Sequence, residues 1–295
     1  MEVTFWGVRG SYPIARRENV RYGGNSACVH IRADGQDWIL DSGSGIRPLG
    51  KHLVTREFAE GKGFARILLG HTHWDHILGF PFFEPFYIPG NRFEIYSAGQ
   101  GHTEIKEILC GQQDVANFPV PFDGFRADFS FHKLSPDDNR DFDGTNLKTV
   151  QLNHQGMTLG FRLTRDNIST AIHTDTARIG EIMLGDNMET SQKFIDGYRR
   201  ALREHADGVD LLIHDAHFNE HEILGKESWG HSTPRDAVIS CKDAGVKKLA
   251  LFHHAPEHSD AHVGAMLADA MDFAGNDLEV IGAAERITVH LGAKT

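Results

Sequence analysis

Residues 71–76 read His-Thr-His-Trp-Asp-His and place four potential metal ligands within six positions, directly after an apolar run. If that run is a strand, the ligands lie on the loop that leaves its carboxyl end. His71 and His73 can then point the same way and bind one cation, while Asp75 and His76 turn toward a second. Imidazole and carboxylate together suit Zn²⁺, with Mn²⁺ or Fe²⁺ as alternatives, better than Ca²⁺ or Mg²⁺. A histidine-rich surface loop is the competing interpretation, and this pattern after a buried strand favours a metal site.

Three more candidate ligands lie further along the chain. His154, Asp175 and His253 each follow closely after a strand-like run of mainly apolar residues. Because side chains at the carboxyl ends of parallel strands converge on one edge of a sheet, the three can join the ligands of the first loop. Each alone would be an ordinary polar loop residue, but together they complete the set that two metals need. His254 is an alternative to its neighbour His253.

The charge balance limits the possible partners. The 295 residues carry 30 Lys and Arg against 41 Asp and Glu, a formal net charge of −11. This argues against a general nucleic-acid binder, because no basic stripe is available to replace counterions. An anionic substrate stays compatible with the chain, since two divalent cations would make one cleft locally positive.

The cysteines and the apolar runs indicate the compartment. Cys28, Cys110 and Cys241 are odd in number and far apart, which favours free thiols and a reducing compartment. The start of the chain lacks the pattern of a signal peptide, and no run approaches the roughly 18 apolar residues of a membrane span. We therefore expect a cytoplasmic protein without membrane association.

The predicted elements change in character along the chain. The early part predicts strands at 3–8, 27–31, 38–40 and 66–69, a hairpin around Asp34 and Gly35, and a helix over 46–59. The later part predicts strands at 129–134, 147–152, 159–163, 170–173, 209–213 and 248–252, with helices over 190–204, 234–244 and 260–273. Thr233 before Pro234, with Gly245 at the end, is typical of helix boundaries. Strands followed by strand–helix units predict a layered α/β domain with sheets inside and helices outside.

Residues 80–130 differ from the rest of the chain. They hold five prolines and many of the phenylalanines. We interpret them as an elaboration with a strand near 93–96 and a helix near 103–109. A packed structural insertion is one interpretation, and a pocket lid or a dimer surface is the other, because exposed aromatic loops often mark contacts.

With these motifs the sequence resembles the metallo-β-lactamase superfamily of metal-dependent hydrolases over nearly the whole chain. It is most similar to the phosphodiesterase and ribonuclease Z branch. The resemblance implies an α/β fold, a four-layer αββα sandwich, formed by a single domain over 1–295 with the elaboration at 80–130.

The resemblance also implies the ligand sets. The first metal would take His71, His73, His154 and a bridging Asp175. The second metal would take Asp75, His76, the same Asp175 and His253. The glycine that usually precedes the bridging aspartate in this branch is Thr174 here, which leaves the geometry of that loop open.

Two later segments narrow the resemblance. Residues 214–218, His-Asp-Ala-His-Phe, resemble the His-Glu-Ala-Thr-Phe segment of ribonuclease Z relatives, and 230–233 match their Gly-His-Ser-Thr segment. By that resemblance, His231 contacts the scissile phosphate or protonates the leaving oxygen, and Asp215 orients it. An Asp–His pair fixes the imidazole tautomer, which suits a general acid near neutral pH. We count Asp75 with these two as catalytic.

Four N-terminal segments resemble a subgroup described as cyclic-nucleotide or cyclic-phosphate phosphodiesterases. The segments are 5–11, 22–26, 41–47 and 76–83. Arg9 and Asn25 within them can shape the pocket or hold tight turns. His214, His217, His221 and His258 are assigned packing or surface roles.

The function implied by the resemblance is hydrolysis of small cyclic phosphodiesters, such as cyclic nucleotides, by a hydroxide bridging two metals about 3.5–4 Å apart. A ribonuclease Z-like endonuclease is an alternative, although the chain is acidic and shows no long Gly- and basic-rich arm of the kind that grips tRNA there. A lactone or thioester hydrolase on the same fold, and a ligand-binding sensor, also stay open. The expected partners are a small phosphodiester and a second copy of the chain in a homodimer, with no stable nucleic-acid partner.

Overall fold

Nearly continuous apolar runs along the central strands produce sheets that are buried on both faces. The structure, a computed structural model, describes residues 1–101, 103–178 and 192–292, with the backbone of 182–184 and 187–189. In the strand that feeds the metal loop, Leu68 packs into one apolar cluster while Ile67 and Leu69 pack into another. Successive side chains of a strand point to opposite faces, so one continuous apolar run supplies two layers of core.

The described strands form two large sheets and a small ribbon. In chain order they are β1 (Glu2–Gly7), β2 (Cys28–Ala33), β3 (Gln36–Leu40), β4 (Phe64–Leu69), β5 (Arg92–Ser97), β6 (Asp128–Lys133), β7 (Asn139–Phe142), β8 (Thr145–Gln151), β9 (Leu159–Arg165), β10 (Ile168–His173), β11 (Ile182–Leu184), β12 (Asn187–Glu189), β13 (Leu211–Asp215), β14 (Lys248–Phe252), β15 (Glu279–Gly282) and β16 (Thr288–His290). The first sheet has the order β16-β1-β2-β3-β4-β5-β6, the second has the order β15-β14-β13-β10-β9-β8-β7, and β11 pairs with β12.

The strands that precede the candidate ligands run parallel within each sheet. In the first sheet β3, β4, β5 and β6 are parallel neighbours. In the second sheet β10, β13, β14 and β15 are parallel neighbours, and β8 has the same direction because β9 is antiparallel to both β8 and β10. The loops after β8, β10, β13 and β14 therefore leave the same edge of the second sheet.

Helices cover the outer faces of the two sheets. The α-helices are α1 (Ile46–Leu53), α2 (Trp74–Ile77), α3 (Ile105–Gln112), α4 (Gln192–Ala206), α5 (Pro234–Ala244) and α6 (Asp260–Ala274). The central apolar cluster joins side chains of both sheets, such as Phe5 and Phe252. A second cluster joins the first sheet to α1, and a third joins the second sheet to α5 and α6. The resulting order of helix, sheet, sheet and helix confirms the predicted αββα sandwich.

Among the described residues, no helix has the length and hydrophobicity needed to cross a bilayer.

The predicted boundaries of α5 agree with its observed capping. Thr233 accepts a hydrogen bond from the backbone of Asp236, and the Asp236 side chain accepts one from the Thr233 backbone, which forms a reciprocal capping box. Gly245 ends the helix in the left-handed conformation, with φ of 64°. The helix predicted over 190–204 is observed as α4, and residues 190 and 191 lie outside the described part of the chain.

The aromatic residues of 80–130 are mostly packed rather than exposed. Phe80, Phe83 and Phe86 are fully buried and belong to the cluster beneath α1. The strands β5 and β6 extend the first sheet as parallel neighbours of β4. Burial of these rings favours the interpretation as a packed structural insertion, while Phe82 remains 51% exposed.

One predicted helix is shorter than expected, and the strand β7 was not expected. The helix expected over 46–59 ends at Leu53, and a short 3-10 helix follows at Glu57–Glu60. The backbone departs from helical angles at Val54, with φ −72° and ψ 0°, and is extended at Arg56, with φ −123° and ψ −159°. The strand β7 was not predicted, because its sequence Asn-Arg-Asp-Phe lacks the apolar alternation of a half-buried strand.

Candidate metal centre

The loop after β4 brings the first group of ligand-type side chains together. His71 is 1% exposed, and its ring lies 4.4 Å from that of His73 and 4.9 Å from that of His154, measured between centroids. His73 Nδ1 lies 3.2 Å from His154 Nε2. The three histidines each present one nitrogen within 4.8 Å of the others. This spacing allows all three to contact one cation.

A second group lies beside the first. Asp75, His76, Asp175 and His253 each present one ligand atom within 4.8 Å of the others. Asp75 Oδ2 is 3.1 Å from His253 Nε2 and 3.3 Å from His76 Nε2. All four side chains are buried, so the group can hold a second cation largely out of solvent.

Asp175 lies between the two groups and faces both. Its Oδ2 is 3.7 Å from His71 Nε2 and 3.8 Å from His154 Nε2. Its Oδ1 is 3.2 Å from His76 Nε2 and from His253 Nε2. One carboxylate with an oxygen directed at each group has the geometry of a ligand shared by two metals.

The electrostatics of the centre fit cation ligands. Burial lowers the pKa of His71 well below its usual value and lowers the pKa of His154 to about 4, so both present neutral imidazoles. Among the described residues, neither ring nitrogen of the buried His71 has a hydrogen-bond partner. A buried polar atom without a partner costs about 1–3 kcal/mol. A bound cation would remove that cost, and we conclude that the donor set fits divalent metals.

Groups behind the ligands orient them. The Asp41 carboxylate binds His76 Nδ1 at 2.8 Å and accepts a hydrogen bond from the Gly70 backbone at 3.0 Å. His154 Nδ1 donates to the Gly230 carbonyl at 3.0 Å. Such partners fix the tautomer and orientation of ligating imidazoles. Sequence reasoning placed Asp41 in a loop without a role, although its position after β3, beside β4, was a usable signal.

The adjacent histidines after β14 have different environments. His253 belongs to the second group, whereas His254 Nε2 lies 3.0 Å from the Ala283 carbonyl. Burial lowers the pKa of His254 to about 3, which keeps it a neutral hydrogen-bonding side chain. The geometry therefore favours His253 as the candidate ligand.

Two candidate ligands have left-handed backbone angles, with φ of 53° at Asp175 and 60° at His253. This conformation is sparsely populated by non-glycine residues and costs about 1–3 kcal/mol. Thr174, which replaces the glycine usual before the bridging aspartate, donates its hydroxyl to Asp175 Oδ1 at 2.8 Å. The substitution thus adds a hydrogen bond that holds the carboxylate.

An Asp–His pair lies beside the two groups. His231 Nδ1 is 2.8 Å from Asp215 Oδ2, while Asp215 Oδ1 accepts from the backbones of His217 and Ser232 at 3.1 and 3.0 Å. Burial alone would raise the pKa of Asp215, but the charge and hydrogen bond of His231 outweigh it and lower the pKa. Because the ionised carboxylate accepts at Nδ1, His231 keeps Nε2 for other contacts in the cleft.

His217 is a cleft residue that the sequence interpretation assigned to packing or to the surface. Its ring stacks on that of His231 with centroids 4.3 Å apart and planes 16° apart. Its Nδ1 donates to the His253 carbonyl at 2.9 Å. Its position two residues after Asp215 at a strand end could have indicated this location.

Arg9 and Asn25 hold turns rather than line the cleft. Arg9 is fully buried and donates to the carbonyls of Gly23 and Ala255 at 2.8 and 2.9 Å. The Asn25 amide pairs with Glu285 at 3.0 Å. Both contacts tie the N-terminal loops to the C-terminal part of the chain.

The centre opens into a cavity of about 450 Å³. Besides the candidate ligands and His231, its wall includes Ser11, Trp74, Gln155 and Trp229. The two tryptophans are 66% and 58% exposed. Large exposed aromatic side chains at the mouth of a polar cleft suit the stacking of a planar ligand.

Gly230 packs against the His154 imidazole and leaves no room for a side chain at position 230. A Cβ at Gly230 would overlap the His154 imidazole, and its φ is 84°, whereas a Cβ at Gly225, with φ of 77°, would meet nothing within 4 Å. We expect Gly230→Ala to weaken metal binding at the first group by about 10- to 100-fold, the usual effect of losing an orienting contact. Competition with a chromogenic chelator measures this. Gly225→Ala carries the same backbone strain without the overlap, and an equal loss of affinity in both variants would contradict the explanation.

Comparison with known families gives one match over most of the chain. A family model described as a beta-lactamase superfamily domain matches residues 40–254. This range contains all seven candidate ligands and the Asp215–His231 pair.

Individual relatives agree with that match. A protein named Ribonuclease Z from Haloarcula marismortui is 23% identical over 288 residues, covering 86% of each chain. The metallo-beta-lactamase fold protein YhfI from Bacillus subtilis superposes with a TM-score of 0.67 at 16% identity, covering 99% of this chain and 98% of the other. Unliganded yeast PDE1 superposes with a TM-score of 0.64 at 13% identity, covering 97% and 98%. At these identities the structural neighbours establish the fold.

Proposed function

This chain belongs to the beta-lactamase superfamily, and from that premise we propose that it is a dinuclear metal-dependent phosphodiesterase acting on small cyclic phosphodiesters, with cyclic nucleotides as the substrate class. The superfamily assignment makes the chain a hydrolase of the metallo-β-lactamase fold. The observation that carries the finer proposal is the Asp215–His231 pair beside two ligand groups that share Asp175.

The ligand groups would hold two divalent cations, with zinc the best match to the mixture of imidazole and carboxylate. His71, His73 and His154 would bind the first, Asp75, His76 and His253 the second, and Asp175 both. When bound, such cations polarise phosphoryl oxygens and activate water for in-line attack. The remaining steps fall to side chains of the protein.

His231 is the group placed to act on the leaving oxygen. Asp215 accepts at Nδ1, so Nε2 is the nitrogen available to the substrate. Protonated at Nε2, His231 donates to the alkoxide that departs when the phosphodiester bond breaks, or to a phosphoryl oxygen. A positioned general acid contributes about 10²- to 10⁴-fold to such a reaction. His217, stacked on His231 and bonded to the His253 carbonyl, holds the ring in this position.

Trp74 and Trp229 support a substrate that carries a base. Both line the cavity and are largely exposed, and stacking of one base on an aromatic side chain contributes about 1–3 kcal/mol. We expect Trp229→Ala to raise the KM for cyclic nucleotides about 5- to 150-fold, by conversion of that energy, while Trp229→Phe retains most of the affinity. Steady-state kinetics on a cyclic nucleotide and on a cyclic ribose phosphate lacking a base measure the difference.

Leu224→Ala is the matched control for Trp229, because it removes a side chain that is also exposed, at 67%, from the same segment. Its KM should equal that of the wild type. If Trp229→Ala raised the KM of the baseless substrate as much as that of the nucleotide, the stacking role would be wrong.

A ribonuclease Z-like endonuclease is the second candidate, favoured by the names of the curated relatives. Against it stands the net charge of −11, which offers little attraction for an RNA backbone. A lactone or thioester hydrolase is the third.

One panel of substrates separates these activities. It comprises bis(p-nitrophenyl) phosphate, several cyclic mononucleotides, an RNA hairpin, a lactone and a thioester, each with Zn²⁺, with Mn²⁺ and after chelation. We expect chelator-sensitive hydrolysis of cyclic mononucleotides without cleavage of the RNA. Cleavage of the RNA alone would replace the proposal by the nuclease, and turnover of only the lactone or the thioester would replace it by an ester hydrolase.

A further inference from the structure

A third group of ligand-type side chains lies outside the centre described above. Glu222, His258 and His262 each present one ligand atom within 4.8 Å of the others. None of the three belongs to the seven candidate ligands or to the Asp215–His231 pair. Glu222 lies in the segment after β13, His258 in the loop after β14, and His262 in the first turn of α6.

The separations in this group are those of ligands around one cation. His258 Nε2 lies 3.0 Å from both carboxylate oxygens of Glu222, and His262 Nε2 lies 3.9 Å from Oε1. The same kinds of atoms in the first centre are 3.1–3.8 Å apart. A tetrahedral zinc ion with Zn–N bonds of about 2.0–2.1 Å separates its ligands by about 3.3 Å.

Hydrogen bonding within the protein accounts for only part of this arrangement. The 3.9 Å between His262 and Glu222 is too long for a hydrogen bond. The two imidazole rings stack with centroids 3.9 Å apart and planes 17° apart, and each presents a nitrogen within 4.8 Å of the other and of the Glu222 carboxylate. The Asn219 side chain lies 3.2 Å from His262 Nε2, and a cation bound here would replace this contact.

The surroundings are those of a partly buried site. The side chain of His258 is 4% exposed, that of Glu222 30% and that of His262 36%. Within the described part of the chain, the ion-pair partners of Glu222 are these two histidines. A cation here would therefore have three protein ligands and one side open to water.

We propose that Glu222, His258 and His262 bind a third divalent cation of the zinc class, at a structural site distinct from the catalytic pair. The cation would join the segment that carries His217 to the loop that carries His253. That loop is also held by Arg9, which donates a hydrogen bond to the carbonyl of His258 at 2.8 Å. The site thus strengthens the support of two cleft segments without entering the cleft.

Metal content per chain tests the proposal directly. After exhaustive dialysis, elemental analysis should find one more zinc ion in the wild type than in Glu222→Gln or in His262→Ala. Hydrolysis of bis(p-nitrophenyl) phosphate should stay near the wild-type rate in both. His221→Ala is the matched control, since it removes an exposed histidine next to Glu222, and its zinc content should equal that of the wild type. Equal zinc content in all four proteins would overturn the proposal.

A second measurement removes the catalytic pair from the count. In an Asp175→Ala background, calorimetric titration with Zn²⁺ should detect one remaining site, and a second substitution, His262→Ala, should abolish it. Thermal unfolding of the Asp175→Ala protein should shift upward with Zn²⁺ only while His262 is present. Absence of zinc binding in the folded Asp175→Ala protein would refute the third site and leave the proposed phosphodiesterase unaffected.

Discussion

Replacing Asp175 with alanine is expected to remove both catalytic metals and to lower phosphodiester hydrolysis by more than about 100-fold, because loss of a mere orienting contact already costs about 10- to 100-fold. Asp175 directs one oxygen at each ligand group, at 3.2 Å from His76 and 3.7 Å from His71. Without it the first group keeps only its three imidazoles, and the second keeps Asp75 with two imidazoles, so each cation loses an anionic ligand. Elemental analysis and turnover of bis(p-nitrophenyl) phosphate, measured on the same preparation, give the result.

A control for Asp175 exists at the opposite edge of the same sheet. Asp210 precedes β13, pairs with Lys247 at 2.7 Å and accepts from the Ser169 backbone at 2.8 Å. Asp210→Ala should lower the free energy of unfolding while leaving the metal content and the rate per folded chain unchanged. Full activity of Asp175→Ala with both metals in place would show that this residue is not the shared ligand.

Replacing His231 with alanine is expected to leave the catalytic metals bound and to slow the cleavage of cyclic nucleotides by about 10²- to 10⁴-fold, the usual contribution of a general acid. The leaving group supplies a sharper test. A ribose alkoxide needs a proton as it departs, whereas p-nitrophenolate leaves without one. The loss should therefore be large for a cyclic nucleotide and small for bis(p-nitrophenyl) phosphate.

Two outcomes would change the role of His231. An equal loss on both substrates would make it a contact to the phosphoryl group rather than an acid, and loss of the metals would make it a ligand. Asp215→Asn tests the partner, because an amide no longer fixes the proton at Nδ1. Asp215→Asn should keep the metals bound and, like His231→Ala, should slow hydrolysis of a cyclic nucleotide much more than hydrolysis of bis(p-nitrophenyl) phosphate.

The layered fold could be predicted from short, nearly continuous apolar runs in a few strands. In β14, Leu249 and Leu251 pack toward the helices while Ala250 and Phe252 pack toward the other sheet. That pattern is legible in the sequence because both faces are buried. The edge strand β7 was not predicted, because its sequence is mostly polar and shows no apolar periodicity.

The candidate ligands were predictable because each follows a strand, and parallel strands deliver their ends to one edge. Asp41 and His217 were not recognised, because an orienting residue has no fixed spacing from the ligand that it supports. His217 becomes visible only when β13 and β14 lie side by side and bring it to the His253 carbonyl. Site residues that depend on contacts between strands distant in sequence cannot be predicted from the sequence of one chain.

The candidate ligands come from both sheets, and this links metal supply to the amount of folded protein. His71, His73, Asp75 and His76 leave the first sheet, while His154, Asp175 and His253 leave the second. The full set therefore exists only in the folded chain, and each tenfold rise in free metal above the dissociation constant adds about 1.4 kcal/mol per site to the free energy of unfolding. If the proposed metals are bound, their removal would take away this stabilisation and lower the fraction of folded chain as well as the activity.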